Sequence, residues 1–229
     1  DIKHIVIDEI QDYSYVQLQA IQIIYPKAHY TLLGDKNQIV HPEKKDMLVG
    51  SALKAFQHIE LNKSYRSTVE ITDFMSAIID NTTTLSLGVS GDKPVIFETL
   101  NKIATLQQLI QTEKEEDESF VIIAKNMETC KRLYDELKTH IPEIRLISEN
   151  DKVYMKGVLI MPGYMAKGFE FTTVVLADAD SVTYQSESDE TLLYTIVSRA
   201  TRKLFILTND VKKLPQSLNK IDKTLVVTK

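Results

Sequence analysis

The chain has a single cysteine, Cys130. No internal disulfide can form, which fits a reducing compartment. The thiol reads as a small buried hydrophobe. No apolar run approaches the roughly 20 residues that a membrane-spanning helix needs, and no secretory signal stands at the start. These two absences lead us to expect a cytoplasmic location. A basic excess is also lacking, since the formal net charge is −5 and the sequence pI about 5.6. That excludes a chain that is basic all over, but not a local basic groove on an acidic body. Internal repeats and low-complexity segments are absent. So is any G-x-x-x-x-G-K-[ST] stretch, the Gly-rich loop that cradles phosphates. The chain opens in an apolar run with no initiator Met. We therefore expect a piece of something longer.

What is present is material for a core. Hydrophobic residues make up 43% of 229 residues, enough for one or two domains. Strands are expected near 4–8, 29–34, 58–62, 94–98, 119–124, 144–148, 157–161, 172–178 and 203–208. Helices are expected near 14–25, 48–56, 67–80, 101–112, 126–139, 188–200 and 210–218. Such alternation predicts an α/β fold, a parallel sheet with helices on both faces. Ser14 can cap the first helix, and Ser67 with Glu70 forms a candidate capping box. Pro26 and Pro142 close the helices before them. The segment 82–93 reads as a loop, and the acidic run Glu113 to Glu118 as a solvated loop after a helix.

The chain is organised around its beginning. Ile5, Val6 and Ile7 form an apolar run, followed at once by Asp8-Glu9-Ile10-Gln11-Asp12. A short apolar run reads as a buried strand, and open α/β sheets place ligands at carboxyl strand ends. Two adjacent carboxylates there can divide labour. Asp8 could hold Mg²⁺, and Glu9 could orient and deprotonate a water for attack on a γ-phosphate. The alternative is an acidic strand end that caps the next helix. Four later stretches bear on the choice: Leu33-Gly34-Asp35-Lys36-Asn37-Gln38, Ser64-Tyr65-Arg66-Ser67, Ala166-Lys167-Gly168-Phe169-Glu170-Phe171 and Leu193-Tyr194-Thr195-Ile196-Val197-Ser198-Arg199-Ala200.

Together, and in this order, the five stretches resemble motifs II to VI of superfamily 1 helicases of the UvrD/Rep type. The resemblance covers nearly the whole chain. It implies a RecA-like three-layer parallel sheet of the P-loop NTPase type. Residues 1–60 would be the end of a first lobe and 61–229 a complete second lobe, with ATP and Mg²⁺ bound between them. Glu9 would be the general base, Asp8 the metal carboxylate and Gln38 the γ-phosphate sensor. Arg66 and the arginine finger Arg199 would clamp the γ-phosphate. Tyr65 would stack on the adenine, Glu170 would meet the nucleotide sugar or its bound water, and Gln11 and Gly168 would line the nucleotide. Asp12, Asp35, Tyr164 and Lys167 would couple that site to nucleic acid.

The stretch Pro162-Gly163-Tyr164-Met165 replaces the usual Thr-x-His before motif V, in the manner of the HelD-like branch. Only 98 positions separate Arg66 from Tyr164, which leaves no room for the large insertion of UvrD and Rep. The resemblance thus implies an ATP-dependent helicase or translocase acting on single-stranded DNA, completed by an N-terminal part with the missing phosphate loop. Without that loop the chain alone is expected to be inactive. Two alternatives stand beside it: a HelD-like motor that remodels RNA polymerase, and a non-catalytic module that binds a partner protein.

Overall fold

The computed structural model describes residues 2–35, 59, 63–79, 85–149, 151 and 156–229. They fall into two compact units, one within 1–61 and one within 62–229. Gln38 and the expected helix near 48–56 lie outside the described residues, as does most of the expected strand near 58–62.

The first unit is a small βαβ arrangement. Strand β1 (His4–Ile7) pairs in parallel with β2 (His29–Leu32), His4 opposite His29 and Ile7 opposite Leu32. A parallel pair needs a crossover, and helix α1 (Tyr15–Ile24) supplies it. Ser14 starts that helix with a capping box. Its hydroxyl accepts from the Gln17 amide at 3.3 Å, and Gln17 Oε1 accepts from the Ser14 amide at 2.7 Å. Ile7, Ile10 and Leu18 form the buried centre, flanked by Ile5, Tyr13, Ile21, Tyr30 and Leu32.

The second unit opens with a two-stranded parallel ladder, β3 (Lys63–Ser64) with β4 (Leu85–Ser86). Helix α2 (Val69–Ile78) lies between them in sequence. Then come β5 (Val95–Glu98), α3 (Lys102–Glu113), β6 (Ser119–Ala124), α4 (Met127–Leu137), β7 (Arg145–Leu146), β8 (Gly157–Pro162), β9 (Phe171–Leu176), α5 (Glu187–Val197), β10 (Ala200–Thr208), the short α6 (Gln216–Asn219) and β11 (Val227–Thr228). Seven of these strands form one sheet in the order β11-β5-β10-β9-β6-β8-β7, with every pairing parallel.

Alternation along the strands builds two cores. Phe120, Ile122 and Ala124 of β6 face α3 and α4, together with Val158, Ile160 and Val175. Val121 and Ile123 face α2 and α5, together with Leu159, Met161, Val174 and Leu176. The helices answer with helical spacing: Ile71, Phe74 and Ile78 on α2, and Cys130, Leu133 and Leu137 on α4. A parallel sheet covered on both faces requires such continuous apolar strands. The result is the RecA-like three-layer α/β fold.

Five local expectations change. The first is the segment 82–93, which reads as a loop in the sequence but contains β4. Ser67 and Glu70 make no capping box. Thr68 is the N-cap of α2, Ser67 Oγ donates to the Ala200 carbonyl at 2.7 Å, and Glu70 accepts from Ser90 Oγ and the Gly91 amide. The expected helix near 210–218 is split at Pro215, into a 3-10 turn (Val211–Lys213) and α6. Helix α5 ends at Val197, so Arg199 lies in the link to β10 rather than on the helix. The acidic run is not simply solvated, because Glu113 and Glu115 pair with Lys203 of β10 and Glu118 pairs with Arg202. Among the described residues no helix is long and apolar enough to cross a membrane.

Candidate functional site

In the first unit, Asp8 and Glu9 sit just past the carboxyl end of β1, beside the carboxyl end of β2. Glu9 adopts a left-handed backbone (φ 50°, ψ 45°), which turns the chain sharply out of the strand. A non-glycine residue held there stores strain, and such residues gather at functional sites. The turn is fixed by two bonds, Glu9 amide to Asp8 Oδ1 at 2.8 Å and Asp12 amide to the Glu9 carbonyl at 2.9 Å.

Gln11 is only 6% exposed and ties two motifs together. Its Nε2 donates to the Glu9 carboxylate, and its Oε1 accepts from the Asp35 amide at 3.2 Å. Gly34 makes this approach possible, since a Cβ there would lie 2.4 Å from Gln11 Oε1 and 2.6 Å from Ile10 Cγ2. Asp12 is exposed and Asp35 half-buried.

In the second unit, three stretches far apart in sequence are laced into one patch. Ser67 Oγ donates to the Ala200 carbonyl, and the Thr68 amide donates to the Thr201 carbonyl at 3.1 Å. From the other side the Phe171 amide donates to the Arg199 carbonyl at 2.9 Å. The link that carries Arg199 thus lies between the Tyr65–Thr68 segment and the end of the Lys167–Phe171 segment.

The side chains follow the backbone. Arg66 Nε pairs with Glu170 Oε1 at 2.6 Å, both side chains about half exposed. Arg199 is 2% exposed. Its Nε donates to the Thr195 carbonyl at 3.0 Å, Nη1 to the Phe169 carbonyl at 3.3 Å and Nη2 to Ser198 Oγ at 2.8 Å. Tyr65 presents its ring to solvent at 69% exposure. Gly168 has φ +80°, a backbone that favours glycine, with open space where a Cβ would stand. Tyr164 is exposed on the 3-10 turn after β8, and Lys167 is half-buried.

Comparisons with known proteins bear on the family and the fold. Residues 157–207, from β8 through most of β10, match the UvrD-like helicase C-terminal domain family. A "Putative ATP-dependent DNA helicase" of Acanthamoeba polyphaga mimivirus is 30% identical over 242 residues, covering 90% of this chain and 34% of the viral protein. The C-terminal domain of a possible DNA helicase from Lactobacillus plantarum WCFS1 is 30% identical, with 72% of this chain and 98% of that one covered and a TM-score of 0.60. The chain belongs to the UvrD-like helicase C-terminal family. It spans about a third of the length of the curated viral relative.

The UvrD-like unit has a second polar cluster, which the sequence reading missed. It lies at the carboxyl ends of β6, β9 and β10, where α4 and α5 leave for opposite faces. Lys125 pairs with Asp189 at 2.7 Å and gives its amide to Asp178 Oδ2 at 3.1 Å. Tyr184 donates to Asp178 Oδ1 at 3.3 Å. Lys102 pairs with Asp180 at 3.0 Å, and Asp180 also accepts from Thr208 Oγ1 at 2.8 Å. Burial pushes the Asp178 carboxyl and the Tyr184 phenol up. Burial also works on Asp189, but the Lys125 ammonium and the Ser186 and Gln185 amides outweigh it and hold the carboxyl at about 2. The signal was available. Asp178 and Asp180 follow the apolar run Val174-Val175-Leu176 just as Asp8 and Glu9 follow Ile5-Val6-Ile7.

Proposed function

We propose that the chain is the C-terminal part of an ATP-driven motor of the UvrD-like type, acting on single-stranded DNA. The observation that carries this reading is the convergence of Arg66, Glu170 and Arg199. They come from stretches up to 133 positions apart and are joined by an ion pair and by backbone hydrogen bonds. A surface assortment of polar residues has no reason to be laced in this way.

The residues present fit ATP with Mg²⁺. Mg²⁺ is usually held by one or two carboxylates, with water and phosphate oxygens completing six ligands. Asp8, just past the carboxyl end of β1, suits that role as the single protein carboxylate. Bound there, the cation would neutralise phosphate charge. Glu9, its carboxylate oriented by Gln11, would accept the proton of an attacking water. Arg66 would take phosphate oxygens in its planar fork, and the exposed Tyr65 ring would stack on the base. Arg199 would supply the cation that offsets charge developing on the γ-phosphate. Gln38 would complete the set as its sensor.

A HelD-like variant of this function is favoured by one feature. Pro162 ends β8 and the exposed Tyr164 follows on its own 3-10 turn, in place of the Thr-x-His of UvrD. In that case the motor would strain a bound RNA polymerase. ATP turnover of the longer protein that carries this chain, measured with single-stranded DNA and separately with RNA polymerase, tests both. Stimulation by DNA alone supports the translocase, stimulation by polymerase alone the HelD-like motor, and no turnover under either condition contradicts the proposal.

A further inference from the structure

The Arg66–Glu170 pair holds one of the proposed phosphate ligands before any phosphate arrives. We infer that Glu170 sets the selectivity of Arg66: its carboxylate competes for the guanidinium, so that only the terminal phosphate of a polyphosphate displaces it. This inference rests on the proposed phosphate role of Arg66 and deepens it.

Three observations carry it. The contact is short and charge-assisted, Nε to Oε1 at 2.6 Å. Both side chains are about half exposed, so an incoming anion reaches them without unfolding anything. The backbones of both partners are fixed, Arg66 by the bonds of Ser67 and Thr68 to β10, and Glu170 by the Phe171 amide on the Arg199 carbonyl. Only the side chains need to exchange.

The charges decide which anion wins. A carboxylate carries one negative charge and a nucleic-acid phosphodiester carries one as well. A terminal phosphate monoester carries about −1.5 to −2 at neutral pH and offers three acceptor oxygens. The phosphodiester gains nothing over Glu170, whereas the terminal phosphate gains charge and a bidentate fit to the guanidinium. Arg66 then reads polyphosphate and ignores a passing DNA backbone. An exposed ion pair contributes up to about fivefold in an equilibrium constant, which sets the size of the effect.

The test is a titration of this chain with inorganic tripolyphosphate, followed by the arginine Nε–H signals in NMR. The Arg66 signal is identified by its loss in Arg66→Ala. Tripolyphosphate has no sugar, so a sugar contact by Glu170 cannot contribute. Glu170→Gln is expected to tighten tripolyphosphate binding by up to about fivefold, and to change nothing in the Arg66→Ala background. A single-stranded oligonucleotide is expected to leave the wild-type Arg66 signal in place. No gain in Glu170→Gln, an equal gain without Arg66, or an Arg66 signal moved by the oligonucleotide would each overturn the inference. If Arg66→Ala weakens binding while Glu170→Gln does nothing, only this inference fails. If Arg66→Ala leaves the affinity unchanged, the phosphate role of Arg66 fails with it.

Discussion

Arg199 combines a structural and a proposed catalytic part, and the two can be separated. Its guanidinium satisfies the Thr195 and Phe169 carbonyls from a buried position. Arg199→Ala removes a donor from the Phe169 carbonyl and one from the Thr195 carbonyl, which keeps Ser198 Oγ, at a cost of about 1–3 kcal/mol by urea unfolding. In the proposed full-length motor, turnover should fall by roughly a thousandfold or more, the scale of an arginine finger. Arg199→Lys keeps the charge but not the fork of donors, and should recover part of the stability and little of the turnover. Equal recovery of both would mean that Arg199 only holds the fold. Cys130 makes a simpler prediction. Burial pushes its thiol up to about 12, so it should resist thiol reagents at pH 8 and react only as the chain unfolds. Rapid labelling of native protein would contradict the packing of α4.

The elements show how local and distant chemistry share control. The strands of the large sheet were legible because both faces are buried, which leaves unbroken runs such as Phe120 to Ala124 and Val158 to Met161. Strands β3, β4 and β11 are two residues each, too short for any period to register. The start of α2 departs from its local pattern for a tertiary reason. Ser67 has the right chemistry for a cap, but its hydroxyl is taken by Ala200, 133 positions on, and Thr68 caps instead. No local pattern contains that contact. Ser67→Ala should therefore cost about 1–2 kcal/mol, more than a lost cap alone, since it leaves a buried carbonyl at the start of β10 without its donor. Chemical unfolding measures it, and a change within about 0.5 kcal/mol would contradict the account. In the first unit, Gly34→Ala drives a methyl group into Gln11 and Ile10. Loss of the Gln11 link from Glu9 to Asp35 should follow, seen as a shift of the Asp35 amide signal.

At the scale of the whole molecule, acid should act through Asp189 in the cluster at the carboxyl ends of the large sheet. Asp189 is held at about 2 against an ordinary value of 3.8. A depressed carboxyl stabilises the fold above its unfolded value and loses that contribution as pH falls through the folded one. Stability should therefore drop between about pH 4 and pH 2, and Asp189→Asn should flatten that part of the profile; an unchanged profile would contradict the assignment. Asp8 and Glu9 adjoin each other directly after an apolar run, whereas Asp178 and Asp180 are set apart from theirs and from each other by alanines, so the same strand-end rule is harder to see after β9. The convergence of Arg66, Glu170 and Arg199 is foreshadowed only by motif order, because Arg199 is tied in through backbone groups that no residue type announces, and the partner of Arg66 lies 104 positions away. The central claim, that these residues belong to an ATP-driven motor, is tested most directly at Glu9. In the proposed full-length motor, Glu9→Gln should abolish ATP turnover while nucleotide still binds, and the present chain alone should neither hydrolyse ATP nor bind it tightly. Near-normal turnover with Glu9→Gln, or micromolar ATP affinity in this chain by calorimetry, would contradict the account.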